Sequence, residues 1–296
     1  MKENNIKIFT SNSWKDYELL DTGEGEKLER FGPYTFVRPY EEAVWLKCST
    51  PSVQQKWEKA EGKFWSSKVG AKAGWKMSKA IFDTKWEMQY KGIKFFASPT
   101  PFRHLGFFPE QASHWDFIEE KIKQAGRPIK FLNLFGYTGV ASLFALRAGA
   151  EVTHLDASKQ TLAWAKENEK LSELEGMRVI EDDAIKFLER EAKRGNKYDA
   201  IIMDPPKFGR GPKGEVWKIE EMLPKLLSAV RKVLNDQPLF VILTSYAVDS
   251  SSLSLGYALE EMMRDFDGNV EAGELCVLEK SNNRIIPLAN TAVWSV

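Results

Sequence analysis

Between Phe131 and Asp156 the chain reads FLNLFGYTGVASLFALRAGAEVTHLD, and this stretch restricts the fold more than any other. A buried strand (131–135) runs into a turn carrying Gly136, Tyr137, Thr138 and Gly139. A helix of small and apolar residues follows to Ala148, and a second strand (151–155) ends on Asp156. Strand, tight turn, helix and strand form the repeating unit of a parallel sheet. Two glycines let the backbone approach a ligand closely, and the helix start just beyond them offers unpaired N–H groups. An acid at the tip of the second strand can accept hydrogen bonds from both hydroxyls of a ribose. Asp156 stands twenty residues after Gly136, near the spacing expected for that acid. The plainer reading of Asp156 is a turn residue. Together the features describe a nucleoside-binding crevice of unspecified kind.

The alternation continues downstream. Helix 158–174 leads to strand 177–181, which ends in Asp182–Asp183, and helix 184–194 leads to strand 198–203, which ends in Asp204–Pro205–Pro206. Ile219, Leu223, Leu226, Val230 and Val233 mark a further helix, in which Pro224 implies a late start or a kink. Strand 238–244 and a helix through Leu255, Leu259, Met262 and Phe266 follow. The run KFGRGPKGEVW (207–217), rich in glycine and charge, reads as a mobile loop. The final runs VEAGELCVLEK and NTAVWSV read as two strands with no helix between them, an antiparallel edge. The fold class is α/β, a parallel sheet wound on both faces, whose ligands lie outside the carboxyl ends of the strands. Those ends carry Gly136–Gly139, Asp156, Asp182–Asp183, Asp204–Pro–Pro and Thr244–Ser245–Tyr246.

The first part of the chain is different. Residues 1–12 are polar and unpatterned and read as a loose terminus. Short apolar pieces punctuated by Gly23, Gly25, Gly32–Pro33 and Pro39 read as β-hairpins, and 42–48 (EAVWLKC) as another strand. Residues 53–94 carry ten lysines, no arginine and four acids, interleaved with Trp57, Phe64, Trp65, Trp75, Phe82, Trp86 and Tyr90. Rings with lysines suit single-stranded nucleic acid, where bases stack and phosphates meet ammonium groups. The alternative is that the rings pack a small β-domain while the lysines keep its edges soluble. A hairpin is expected over 86–96, turning at Lys91–Gly92. The prolines of SPTPF (98–102) place the domain boundary there, giving a β-rich domain over 1–97 and a second domain over 98–296. Pro109 and Glu110 suit a helix start, and Gly126 its end. Arg103, Gly106 and Gln111 then fall in a loop and first turn that either folds over a ligand or is a plain connector.

The 296 residues carry no net charge, but residues 1–130 hold 22 Lys and Arg against 17 Asp and Glu, and 131–296 hold 20 against 25. The two cysteines, Cys48 and Cys276, have neither metal-ligand spacing nor a disulfide framework. His104 and His114 read as structural histidines with no metal partner. The start lacks an apolar signal region, and no apolar run is long enough to span a bilayer, so a cytoplasmic protein without metal or membrane partner is expected.

The order "NLFGYTG", strand-end acid, "DDA" and "DPPKF", preceded by "GFFPEQ", resembles class I S-adenosylmethionine-dependent methyltransferases. More narrowly, it resembles the large-subunit ribosomal RNA methyltransferases that join a β-rich segment to this fold. The resemblance covers 98–296; residues 1–97 share only a β-rich character. It implies a Rossmann-like seven-stranded sheet with an antiparallel final strand, preceded by a smaller β-rich domain, with S-adenosylmethionine as cofactor and RNA as partner. It also implies roles. Asn133, Phe135, Gly136, Tyr137, Thr138 and Gly139 wrap the methionine part; Asp156 holds the ribose, with Ala157 beside the adenine. Asp183, with Asp182 and Ala184 next to it, meets the adenine amino edge. Arg103 and Gln111 are assigned to the cofactor from the preceding loop. Asp204, Pro205 and Pro206 lie between methyl and target base, and Phe208 or Tyr246 stacks on the base. The plainer reading of Asp182 is a helix N-cap, and of Phe208 a loop anchor.

The acceptor atom follows from chemistry. Carbon 5 of a pyrimidine is a poor nucleophile and needs a thiolate to add to the ring first. Relatives acting there carry a cysteine after the fifth strand, where this chain reads Leu243–Thr244–Ser245–Tyr246–Ala247. A ring nitrogen needs no thiolate and no base. An exocyclic amine needs a proton acceptor, which Asp204 and the Pro205 carbonyl can supply, although Lys207 separates the prolines from Phe208. A base nitrogen of ribosomal RNA is therefore the expected target. Cytosine-5 chemistry is disfavoured. A small-molecule or protein substrate, or a non-catalytic RNA-binding protein of the same fold, stays open, as does monomer or homodimer. A nicotinamide enzyme would be expected to carry a fuller G-x-G-x-x-G than this one G-x-x-G.

Overall fold

The computed structural model describes residues 5–11, 14–66, 73–212, 214–246 and 251–296. Lys68 and Lys72 of the lysine-rich stretch, and Ala247 after the fifth strand of the alternation, lie outside them. Two compact units emerge. An α/β unit comprises Met1–Phe9, Ser113–Leu275 and Pro287–Val296; a β-rich unit comprises Thr10–Ala112 and Cys276–Ile286. The division falls after Ala112, later than the 97/98 junction expected from the prolines. The physical reason is Phe107: it packs at 5.6 Å from Phe31 and 4.9 Å from Phe95, within the aromatic core of the β-rich unit.

Strand β1 (Lys7–Thr10) lies within residues 1–12, where a loose terminus was expected; residues 1–4 and 12 are outside the described ones. In the β-rich unit, β2 (Tyr17–Gly23), β3 (Glu26–Phe31) and β4 (Tyr34–Pro39) form an antiparallel meander. After helix α1 (Pro51–Glu58), β5 (Gly62–Ser66) joins β4 in parallel and β6 (Ala73–Met77) closes the five-stranded sheet. A short α2 (Lys79–Phe82) precedes the hairpin β7 (Trp86–Tyr90) and β8 (Ile93–Ala97). That hairpin turns at Lys91–Gly92, both with positive φ, as the dipeptide predicts. Residues 42–48 are not a strand. Gly25 and Glu24 donate their N–H groups to Ala43 and Trp45, so the segment bonds singly to the β2–β3 turn instead of entering a ladder. Most rings of the lysine-rich stretch pack inward. Phe64, Trp86 and Tyr90 are buried, and Trp65 is the exposed tryptophan, at 44%. In the core, both oxygens of Glu29 accept from one edge of the Arg38 guanidinium, through Nε and Nη2, and Oε1 also accepts from the Tyr17 hydroxyl. Burial would raise the Glu29 carboxyl, but Arg38 and Lys27 outweigh it and hold it down at about 2.

A 3-10 turn at Pro109–Gln111, still within the β-rich unit, leads to α3 (Ala112–Gln124), which belongs to the α/β unit from Ser113 onward. The alternation then runs β9 (Lys130–Leu134), α4 (Val140–Arg147), β10 (Glu151–Asp156), α5 (Lys159–Leu171), β11 (Arg178–Glu181), α6 (Ala184–Arg194) and β12 (Ala200–Met203). Where a mobile loop was expected over 207–217, β13 (Phe208–Arg210) and β14 (Val216–Lys218) pair antiparallel as a hairpin, with Lys213 outside the described residues. Helix α7 (Ile219–Val233) continues through Pro224. Strand β15 (Phe240–Ser245), α8 (Ser252–Met263), β16 (Asn269–Leu278) and β17 (Ile285–Ser295) complete the chain.

The sheet order is β1-β16-β17-β15-β12-β9-β10-β11. β10, β9, β12 and β15 run parallel, and β17 pairs with β15 antiparallel. The sheet has eight strands, not the expected seven, because β1 adds itself outside β16. A side chain on Gly273 of β16 would collide with the Lys7 backbone, and Lys7 pairs with Glu271. The strand order reverses at β9, whose neighbours are β10 on one side and β12 on the other. Ligand crevices of open parallel sheets form at such a reversal.

Candidate active site

The turn after β9 is held from beneath. Phe135 and Tyr137 both have positive φ, 57° and 53°, and Gly139 has φ 84°. Left-handed conformations at two non-glycine residues cost about 1–3 kcal/mol each and persist only where neighbours impose them. The neighbours are identifiable. The Tyr137 N–H donates to Asp156 Oδ2 at 2.9 Å, the Gly136 N–H to the Leu155 carbonyl, and the Gly139 N–H to the Gly136 carbonyl. Sequence reasoning reserved the glycines for close approach of a ligand. The structure shows a second cause: a Cβ on Gly136 would lie 2.3 Å from His154 Cε1 and 2.4 Å from His154 Nδ1. On Gly139 it would lie 3.0 Å from the Ala165 Cβ.

His154 and Ser142 were missed by the sequence reasoning. In register with Asn133 across β9 and β10, His154 is fully buried. Asn133 donates to Ser142 Oγ at 3.0 Å, and Ser142 Oγ lies 3.0 Å from His154 Nδ1. The signal was a histidine inside an apolar strand, opposite an asparagine. Burial lowers the His154 imidazole to about 4, against the pull of Asp156.

Asp156 is partly buried at the tip of β10. Its Oδ1 accepts from the Ser158 N–H at 2.9 Å and lies 3.1 Å from the Thr161 hydroxyl. That hydroxyl has one proton and stands 2.9 Å from the Ser158 carbonyl as well. It can therefore turn to the carbonyl and release Oδ1 to a ribose hydroxyl, while the backbone N–H of Tyr137 keeps Oδ2 oriented. The residues present thus fit a nucleoside. Ala157 adjoins Asp156. Asp182 Oδ1 accepts from the Asp183 N–H and its other oxygen pairs with Arg190. The N-cap of α6 is Asp183, not Asp182: its side chain accepts from the Lys186 N–H, with buried Ala184 at the first helical position. α4, by contrast, begins at Gly139, which has no side chain to cap it.

At the end of β12, Pro205 is buried and Pro206 exposed. The Trp217 indole, itself buried, donates to the Pro206 carbonyl at 2.5 Å and meets the Phe135 ring edge-on at 5.0 Å. Trp217 thereby joins the β13–β14 hairpin to both Asp204–Pro–Pro and the β9 turn, a role the reading of 207–217 as a loop did not anticipate. Pairing of Phe208 with Lys218 and of Gly209 with Trp217 sends Phe208 to the other face, where it is 58% exposed. Thr244 and Ser245 are buried at the end of β15 and Tyr246 is half-buried. Cys276 is buried in β16. His114 is buried against Thr291 Oγ1 at 2.9 Å, with burial pushing it down to about 3, as expected of a structural histidine. Arg103 and Gln111 belong to the β-rich unit; Arg103 is exposed and Gln111 buried. Among the described residues no helix is long and apolar enough to cross a membrane.

The family model described as "Conserved hypothetical protein 95" matches residues 114–251. The ribosomal RNA large subunit methyltransferase K of Neisseria meningitidis serogroup B is 27% identical over 180 residues, 58% of this chain and 49% of that protein. The ribosomal RNA large subunit methyltransferase K/L of Alteromonas mediterranea is 28% identical over 186 residues, 60% of this chain and 26% of that protein. The chain thus spans about half or less of the length of these curated relatives. The crystal structure of a SAM-dependent methyltransferase from Agrobacterium tumefaciens superposes with a TM-score of 0.89 at 41% identity, covering 98% of this chain and 93% of that one. Identity of that order over nearly the full length of both chains places this protein by descent and not by fold alone: it belongs to the SAM-dependent methyltransferases.

Proposed function

We propose that the chain transfers a methyl group from S-adenosylmethionine to a base nitrogen of ribosomal RNA. The observation that carries the acceptor assignment is the disposition of Asp204–Pro205–Pro206 at the end of β12, next to the β9 turn. Trp217 takes the Pro206 carbonyl, and Asp204 and the Pro205 carbonyl are the acceptors assigned to the substrate amine. No thiol stands between Cys48 and Cys276 in sequence, so addition to a pyrimidine ring has no nucleophile at the end of β15.

The cofactor would be held by the turn from Asn133 to Gly139, by Asp156 and Ala157 at the ribose and adenine, and by Asp182, Asp183 and Ala184 at the adenine edge. Arg103 and Gln111 are assigned to it on the family resemblance. When bound, its sulfonium supplies an electrophilic methyl group. The chain's part would be to present the lone pair of the base nitrogen in line with that methyl group. An exocyclic amine then gives its proton to Asp204, whereas a ring nitrogen without hydrogen needs no acceptor. Much of the rate comes from alignment of the two reacting atoms. Phe208, exposed beside the prolines and flanked across the hairpin by Lys218, is the ring proposed to stack on an extruded base.

RNA as the substrate is supported by the names of the relatives and by exposed lysines of the β-rich unit, Lys56, Lys59, Lys76 and Lys79 among them. The test is transfer of tritiated methyl to ribosomal RNA from a strain lacking the protein, followed by nucleoside identification. An N-methylated base is expected. A 5-methylpyrimidine overturns the nitrogen assignment, and label entering only protein or a small molecule overturns RNA as substrate.

A further inference from the structure

We propose that His154 is a positioning residue of the cofactor turn, a neutral imidazole protonated at Nε2 that holds the Tyr137 carbonyl and so keeps the Tyr137 peptide in its left-handed conformation. The inference rests on the reading of this turn as the cofactor site.

The tautomer follows from the direction of the hydrogen bonds. The Asn133 amide donates to Ser142 Oγ. A hydroxyl that accepts from the amide has its own proton left to give, and 3.0 Å away stands His154 Nδ1. The Tyr137 carbonyl beside Nε2 can only accept, so the ring proton of the neutral imidazole is on Nε2 and Nδ1 accepts from the hydroxyl. Nε2 lies 3.3 Å from the Tyr137 carbonyl, which accepts from it. Asn133, Ser142, His154 and Tyr137 form one chain in which each member has its partner, and the three side chains are buried. Deep burial, which lowers the ring to about 4, keeps it neutral under ordinary conditions.

The peptide groups flanking Tyr137 are thus fixed at two points. Its N–H is taken by Asp156 Oδ2 and its carbonyl by His154 Nε2. Two bonds of opposite polarity on one left-handed residue fix the orientation of both peptides that flank it. The ring also fills the space under Gly136, where a Cβ would fall within 2.4 Å of it. His154 therefore acts on the cofactor through Tyr137 and Asp156, without touching it.

The test separates the two ring nitrogens. In His154→Gln the amide nitrogen reaches the place of Nε2 and can still donate to Tyr137. In His154→Asn the shorter side chain reaches only the place of Nδ1 and meets Ser142. Binding of S-adenosylhomocysteine is measured by calorimetry on the full chain. H154N is expected to bind about tenfold more weakly than wild type, and H154Q within about threefold, a difference of one hydrogen bond. At saturating cofactor, kcat is expected to be unchanged in both, so the loss appears in the cofactor KM alone. Long-range ¹⁵N spectra of the wild-type chain, with the other two histidine signals assigned by their absence from His104→Gln and His114→Gln, are expected to show the Nε2–H pattern for His154 and would still report if both His154 variants failed to fold. H154N binding as tightly as wild type, equal losses in the two variants, or an Nδ1–H pattern would each overturn the proposal while leaving the cofactor site standing. A wild-type protein that binds neither S-adenosylhomocysteine nor S-adenosylmethionine would overturn the cofactor reading and this proposal with it.

Discussion

The turn after β9 and the hairpin after β12 both carry glycines, both follow a buried parallel strand, and both flank the crevice at the strand-order reversal. They are held in opposite ways. The β9 turn stands on a buried polar chain in which every donor has an acceptor, and its shape is imposed from below by His154, Ser142 and Asp156. One buried indole reaching back to a proline carbonyl secures the hairpin, whose other face, with Phe208, Arg210, Val216 and Lys218, is open to solvent. The contrast matches the two tasks proposed here. A small cofactor of constant shape suits a pre-formed cradle, while a nucleotide brought in on a polymer suits a surface ring on an adaptable hairpin.

Acid should break the symmetry most. The native His154 imidazole titrates near 4 and the unfolded one near 6.5, so between those values the unfolded chain binds more protons. The stability His154 contributes is complete above about pH 6.5 and is lost as pH falls toward 4, at about 1.4 kcal/mol per pH unit. His114, held near 3 by burial, adds a similar slope. Urea melts at pH 7.5, 5.5 and 4.5 should show the decline. H154Q should remove one histidine's share of it, and Trp217→Phe none. A decline unchanged in H154Q would mean that His154 is already accessible to protons in the native state.

Next in size is the pair Gly136→Ala and Gly209→Ala. A methyl at 136 must enter space filled by a ring fixed at both nitrogens, and should cost about 1–3 kcal/mol together with most of the cofactor affinity. At 209 the nearest atom is the Pro206 Cγ at 3.2 Å, and the change should cost less than about 1 kcal/mol. Thermal melts and calorimetry read both; equal costs would erase the contrast between turn and hairpin.

Trp217→Phe keeps a ring against Phe135 and removes the donor to Pro206. About 0.5–1.5 kcal/mol of stability should be lost, with kcat falling while affinity for S-adenosylhomocysteine stays near wild type. A fall in cofactor affinity equal to the fall in kcat would show that Trp217 serves the turn and not the hairpin. Smallest is Phe208→Ala. The exposed ring should leave stability within about 0.5 kcal/mol of wild type and raise only the KM for RNA, read from methylation at saturating cofactor.

The elements that were legible in sequence share one property: their signals are local. Strands of four to six apolar residues, helices with period 3.6, and acids or prolines at strand ends are written within a dozen residues of each other. The turn at Lys91–Gly92 was readable for the same reason. The N-cap role went to Asp183 and not to its neighbour Asp182, a one-residue choice that depends on where the helix axis begins. Reading 42–48 as a strand failed because a short apolar run does not say whether a partner strand is present to pair with it. Reading 207–217 as a loop failed because three glycines and four charged residues obscured Trp217, whose partner, Pro206, is eleven residues away.

By itself the sequence determined the α/β alternation, the strand ends that carry polar residues, and the class of cofactor through its resemblance to a known family. The first two follow from periodicity and spacing along the chain, and the third from the resemblance alone. Tertiary structure alone decided that β1 would close the sheet as an eighth strand, that Gly136 must be glycine because a histidine lies under it, and that Tyr137 takes a left-handed conformation held at both ends. Each of these joins residues distant in sequence, and burial makes the outcome compulsory: a polar group removed from water must find its partner wherever the fold brings one within reach.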